Sequence, residues 1–145
     1  MKKFKLSLIV PCLNEEDNIE LLFQKIYEGI GDVLDYEVVI VDDASQDKTV
    51  ELAQHFAEMY SDKFSTVLLQ RTPPRRGYGS VIRYGLAFAS GDYCIPVSAD
   101  VVDPIHLIPA FIDILETSDH KVVQCNRYGQ KKDIKMLPLK NRFYH

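Results

Sequence analysis

The stretch Tyr36-Glu37-Val38-Val39-Ile40-Val41-Asp42-Asp43-Ala44-Ser45-Gln46-Asp47 constrains this chain more than any other. A run of Val and Ile without polar alternation reads as a strand buried on both faces, the pattern of a parallel sheet. It stops in two adjacent carboxylates and a polar turn. Open α/β sheets bind ligands outside the carboxyl ends of their strands, where these aspartates fall. A carboxylate there can accept from a nucleotide base or ribose, face a metal, or brace its own loop.

The flanking sequence repeats the alternation. Leu6 to Val10 reads as a first strand, followed by a tight connection, Pro11 to Glu16. Ile19, Leu22, Phe23, Ile26, Tyr27 and Ile30 recur at helical steps,. Glu15, Glu16 and Asp17 are expected in that helix's first turn, where negative charge suits the dipole. Asp47 or Ser45 is expected to cap a helix carrying Val50, Ala53, Phe56, Ala57 and Tyr60. Ser65 to Leu69 reads as a third strand, Val81 to Ser90 as a helix, and Tyr93 to Val97 as a fourth strand. Asp103-Pro104 is expected to start a helix with Leu107, Ile108, Phe111, Ile112 and Leu115 on one face. Lys121 to Cys125 reads as a short fifth strand. Strictly alternating strands and helices imply right-handed crossovers and a mostly parallel three-layer α/β/α fold of Rossmann-like type.

On that topology the segments Asn14-Glu15, Asp42-Asp43 and Ser98-Ala99-Asp100 converge on one sheet edge. Asp43 and Asp100 are expected to border a single diphosphate-sized hollow. Asp100 either bridges a divalent cation to a diphosphate or serves as a turn aspartate. Arg75 and Arg76, in the loop Thr72 to Ser80, are candidates for phosphate contact, or else a solvated basic loop. Gly77-Tyr78-Gly79 fails the dinucleotide fingerprint: Ile82 stands at the third glycine, and the turn follows the third strand. His55, His106, His120 and His145 read as surface residues.

The totals restrict the partners. A net charge of −4 over 145 residues argues against nucleic acid,. Cys12, Cys94 and Cys125 lack metal-ligand spacing and read as reduced, buried thiols of a cytoplasmic protein. No apolar run is long enough to span a bilayer.

The ordered motifs Ser7 to Glu15, Val41 to Thr49, Gly77 to Gly85 with Ala89-Ser90-Gly91-Asp92, and Ser98-Ala99-Asp100 resemble those of family 2 glycosyltransferases with the GT-A fold. The detail is most similar to the polyprenyl-phosphate sugar synthases. The resemblance implies a UDP- or GDP-sugar donor, Mg2+ or Mn2+, and a lipid-phosphate acceptor at the cytoplasmic face of a membrane. It places Pro11, Asn14, Glu15, Asp42, Asp43, Arg76, Gly77, Ser98 and Ala99 about the donor and Asp100 on the metal. Ser98 stands where the family has the first Asp of its Asp-x-Asp motif, and Arg75 where asparagine is frequent.

A donor-binding domain is therefore expected over residues 1–128. A basic tail over 129–145 would lead toward an acceptor region and a general base beyond His145. Two other functions share the sheet and its diphosphate problem. A nucleotidyltransferase would carry a glycine-rich basic loop after its first strand, where Pro11-Cys12-Leu13-Asn14 stands. A non-catalytic nucleotide-sugar-binding module would be compatible with Ser98.

Overall fold

A computed structural model describes residues 4–125. Four strands form one parallel sheet: β1 (Leu6–Cys12), β2 (Tyr36–Asp42), β3 (Ser65–Gln70) and β4 (Tyr93–Pro96), in the order β3-β2-β1-β4. The connecting helices are α1 (Ile19–Ile30), α2 (Thr49–Met59) and α3 (Tyr78–Phe88). A 3-10 turn (Ile105–Leu107) leads into α4 (Ile108–Thr117). No helix among the described residues is long and apolar enough to cross a membrane. The chain divides into two compact units, Met1–Asp113 and Ile114–His145.

Every residue of β2 is buried, as its unalternating sequence requires of a strand covered on both faces,. Ile9, Val39, Val41 and Val81 form the core beneath α3. On the other face, Phe23 of α1 lies 5.9 Å from Phe56 of α2 and 5.8 Å from Phe64 between ring centroids. Phe64 in turn stacks on Tyr36 of β2 at 5.2 Å. Gly85 lets α3 sit directly on the sheet: a Cβ there would stand 2.6 Å from Ile9 Cγ2 and 3.0 Å from Val41 Cγ2.

The chain winds outward from β1 to β2 to β3, then α3 carries it back across the sheet to place β4 on the other side of β1. The winding direction therefore reverses between β1 and β4. That reversal opens the crevice in which doubly wound sheets take their ligands.

Several expectations are corrected. Lys121 to Cys125 is not a strand; it has no ladder partner among the described residues, and Val122 is 80% exposed. Glu15, Glu16 and Asp17 precede α1, whose N-cap is Asn18. Asp103 does not cap a helix; its Oδ2 accepts from Ser98 N at 2.7 Å. Cys12 is buried, but Cys94 on the edge strand and Cys125 are exposed. His55, His106 and His120 are exposed as expected. The basic segment 129–145 and His145 lie outside the described residues.

Candidate functional site

The loops leaving β1 and β2 are stitched together by reciprocal side-chain to backbone bonds. Asn14 N donates to Ser45 Oγ at 2.9 Å, and Gln46 N returns a bond to Asn14 Oδ1 at 2.9 Å. Glu15 N donates to Thr49 Oγ1 at 2.7 Å. Glu16 N donates to Asp47 Oδ2 at 3.1 Å, and Lys48 N to Glu16 Oε2 at 3.0 Å. Asp47 also accepts from Thr49 N at 3.0 Å, which makes it the polar partner at the start of α2. Burial pushes the Asp47 carboxyl up, but bonds from Thr49 and Glu16 outweigh it and hold the group below the usual range. Asp42, fully buried, accepts from Ser45 N and braces the same loop.

Each of the four strand exits contains one residue with positive φ: Asn14 (55°), Ala44 (64°), Gly77 (76°) and Val101 (59°). Only glycine adopts this region without cost, and a β-branched residue such as Val101 is a genuine outlier. Strain of this kind survives only where surrounding bonds over-determine the backbone. Among the described residues the non-glycine cases, Asn14, Ala44 and Val101, all lie at the carboxyl edge.

Asp43 is the pivot of that edge. It is 4% exposed. Its Oδ2 accepts from Arg76 N at 3.0 Å and from Gly77 N at 3.1 Å. Arg71 Nη1 lies 3.5 Å from Oδ1. The carboxylate thus holds the N-terminal end of α3 against β2. Arg71 carries no motif signal in the sequence; it directly follows β3, an edge strand whose residues are only partly buried.

A cavity of about 250 Å3 opens beside Asp43, lined by Pro11, Cys12, Leu13, Glu15, Asp43, Gly77, Tyr78, Val81 and Ser98. It draws on the ends of β1 and β2, the segment after β4 and the first turn of α3, so it lies at the winding reversal. The positive end of the α3 dipole faces an edge otherwise rich in carboxylates. Burial, reinforced by the charges of Glu15, Asp42 and Asp47, pushes the Cys12 thiol far above its ordinary range. A larger cavity of about 720 Å3 includes Tyr36, Glu37, Phe64, Ser65 and Ser90. It lies at the amino ends of the strands, away from the crevice.

Of the residues expected about a donor, Pro11, Glu15, Asp43, Gly77 and Ser98 line the cavity at the reversal. Asn14 and Asp42 brace its loops, Arg76 supplies a backbone N–H to Asp43, and Ala99 is buried. Among the described residues Asp43 and Asp100 line different cavities, not the single hollow expected. Asp100 lines a separate cavity of about 390 Å3 with Leu21, Lys25, Glu28, Gly29, Val101, Asp103, Ile105 and His106. The cause is local: Val101 N bonds back to Ser98 O, and Asp103 holds Ser98 N. This turn buries Ala99 and separates Ser98 from Asp100.

Among the described residues no group of three His, Cys, Asp or Glu side chains could hold a metal ion. The exposed Asp100 carboxylate has the hard oxygen donors that Mg2+ or Mn2+ prefers, and fits an ion that takes its other ligands from a diphosphate and water,.

Comparison with known proteins bears on the whole arrangement. The family described as "Glycosyl transferase family 2" matches residues 7–143. A dolichol-phosphate mannosyltransferase of Pyrococcus furiosus is 37% identical over 112 residues, 77% of this chain and 30% of the relative. The solved mannosyltransferase PcManGT of Pyrobaculum calidifontis, in complex with GDP-Man and Mn2+, superposes with a TM-score of 0.69 at 30% identity. That match covers 79% of this chain and 33% of PcManGT. S. aureus TarS 1-349 in complex with UDP-GlcNAc superposes at 0.66 with 25% identity, over 87% of this chain and 38% of TarS. The chain spans about a third of the length of the curated relatives it matches.

Proposed function

This chain belongs to glycosyl transferase family 2, and on that premise we propose that it is the nucleotide-sugar-binding part of a glycosyltransferase. The observation that carries the reading is the cavity at the winding reversal, walled by Asp43, Gly77, Tyr78 and Ser98. At about 250 Å3 it falls just below the roughly 300–1,000 Å3 of typical ligand pockets, so it suits part of a nucleotide-sugar,. We assign it the nucleoside end. Pro11 and Leu13 offer apolar walls. Glu15 and Asp43 offer acceptors for base or ribose, and the α3 N-terminus offers N–H groups and a positive dipole for phosphate.

Donor-binding roles are assigned to Pro11, Glu15, Asp43, Gly77 and Ser98, and loop-bracing roles to Asn14 and Asp42. Asp100 is assigned to hold Mg2+ or Mn2+ jointly with the donor's diphosphate. When bound there, the ion supplies positive charge against the diphosphate. In the described cavity Glu15 Oε2 accepts from Asn18 Nδ2 at 2.7 Å and Asp43 accepts from the α3 loop, so both carboxylates are assigned to the loops and the donor and not to the acceptor. We therefore place the acceptor-activating group outside the described residues. A lipid phosphate as acceptor, and hence work at a membrane surface, is supported by the dolichol-phosphate relative.

Isothermal titration with UDP and GDP, with and without Mn2+, tests the reading. Binding of at least one nucleotide, weakened by D100N only when Mn2+ is present, is expected. A folded protein that binds neither refutes it. The separate cavity of Asp100 favours a second reading, a binding module without transfer chemistry. Hydrolysis of a UDP- or GDP-sugar by the protein would exclude that reading.

A further inference from the structure

Nothing in the sequence singles out Arg71, which follows β3 as one basic residue among several. In the fold its side chain is only 9% exposed. Nη1 lies 3.5 Å from Asp43 Oδ1. Nη1 and Nη2 reach Ser80 Oγ at 3.4 and 3.3 Å, and the guanidinium carbon lies 5.3 Å from the centroid of the Tyr84 ring. One side chain therefore ties the exit of β3 to the exit of β2 and to two turns of α3. Between these anchors residues 72–77 are exposed and without regular structure. The loop is closed at its far end by Asp43, through Arg76 N and Gly77 N. A cation placed merely for solubility would project into water, because burying it is costly unless it is paired.

We propose that Arg71 is a positioning residue of the nucleotide cavity. It holds the Asp43 carboxylate at the angle from which that group pins the Arg76–Gly77 backbone, and so sets the wall made by Gly77, Tyr78 and Val81. Arginine suits the task because its planar fork can meet a carboxylate and a hydroxyl while its face lies on an aromatic ring. The inference rests on the nucleotide-binding reading for its functional consequence, but the latch itself does not depend on it.

The test compares wild type with R71K, R71M, D43N, the double variant R71M/D43N, and R83M as a control for charge loss on α3. The readouts are UDP and GDP affinity with Mn2+, and the rate of tryptic cleavage after Arg75 and Arg76, mapped by mass spectrometry on folded protein. R71M is expected to weaken nucleotide binding about tenfold or more, since it leaves the buried Asp43 carboxylate without the Arg71 guanidinium charge,. Cleavage after Arg76 should accelerate in R71M and D43N. R71K should recover part of both losses, R83M should behave as wild type, and the double variant should be no worse than the poorer single one.

Wild-type affinity and cleavage in R71M, or losses that add in the double variant, would overturn the proposal. If R71M does not fold, R71K and D43N decide: faster cleavage after Arg76 in both supports the latch, and wild-type rates in both refute it. If wild type binds neither nucleotide, the reading of the cavity fails, while the cleavage comparison still settles whether Arg71 holds the loop.

Discussion

Replacing Gly85 by alanine sets two well-characterised effects against each other, and the structure says which wins. In an exposed helix the change would be stabilising by about 1 kcal/mol, from propensity alone. Here the new Cβ would stand 2.6 Å from Ile9 Cγ2 and 3.0 Å from Val41 Cγ2. Both neighbours are fully buried in adjacent central strands. Both are β-branched, so neither side chain can turn away cheaply. Forcing a methyl group into such a site costs about 1–3 kcal/mol, and these distances argue for the upper end. The net expectation is a loss of about 2 kcal/mol, which for a chain of this size lowers Tm by about 4–8 °C. Because Tyr78 and Val81 of the same helix, with Gly77 at its N-cap, line the cavity proposed to take the nucleotide, lifting α3 should also weaken UDP and GDP binding. Differential scanning calorimetry with parallel titrations measures both. A G85A variant as stable as wild type, or more so, would mean that α3 does not sit this close to the sheet.

Glu37 makes a second case: its carboxylate, 3% exposed, accepts from Ser7 Oγ at 2.6 Å, Ser90 N at 2.6 Å and Ser90 Oγ at 2.9 Å. E37A should cost about 3 kcal/mol or more in urea unfolding and E37Q about half as much, since hydrogen bonds to a charged acceptor are the stronger class. The thiols supply a third. Burial holds the Cys12 thiol protonated far above its ordinary range, so Ellman's reagent at pH 8 should modify exposed Cys94 and Cys125 and leave Cys12 until the protein unfolds. The sign of the accompanying pH effect is fixed. Above the ordinary thiol value of about 8.5 the unfolded chain releases this proton while the native state keeps it, so stability should fall as pH rises. In C12A that part of the alkaline loss should disappear; an unchanged alkaline limb would refute the assignment.

The amino-acid sequence by itself determined the local elements, because hydrophobic periodicity is written into neighbouring residues. The unbroken run Val38 to Val41 required a strand buried on both faces, and Ile19 to Ile30 required an amphipathic helix; both are found within their expected limits. Alternation then implied a parallel sheet and brought Glu15, Asp43 and Ser98 to one edge. The short run at Lys121 misled, because a strand also needs a ladder partner, which local sequence does not reveal. Only the tertiary structure decided that β4 lies beside β1, and hence where the crevice opens. It also decided that Asp43 holds the backbone of residues 33 and 34 positions away, that Asp100 turns into a different cavity, and that Arg71 is buried. These outcomes depend on which distant groups meet once the helices have packed. A carboxylate's role is set by the donors that reach it, and those donors come from the fold.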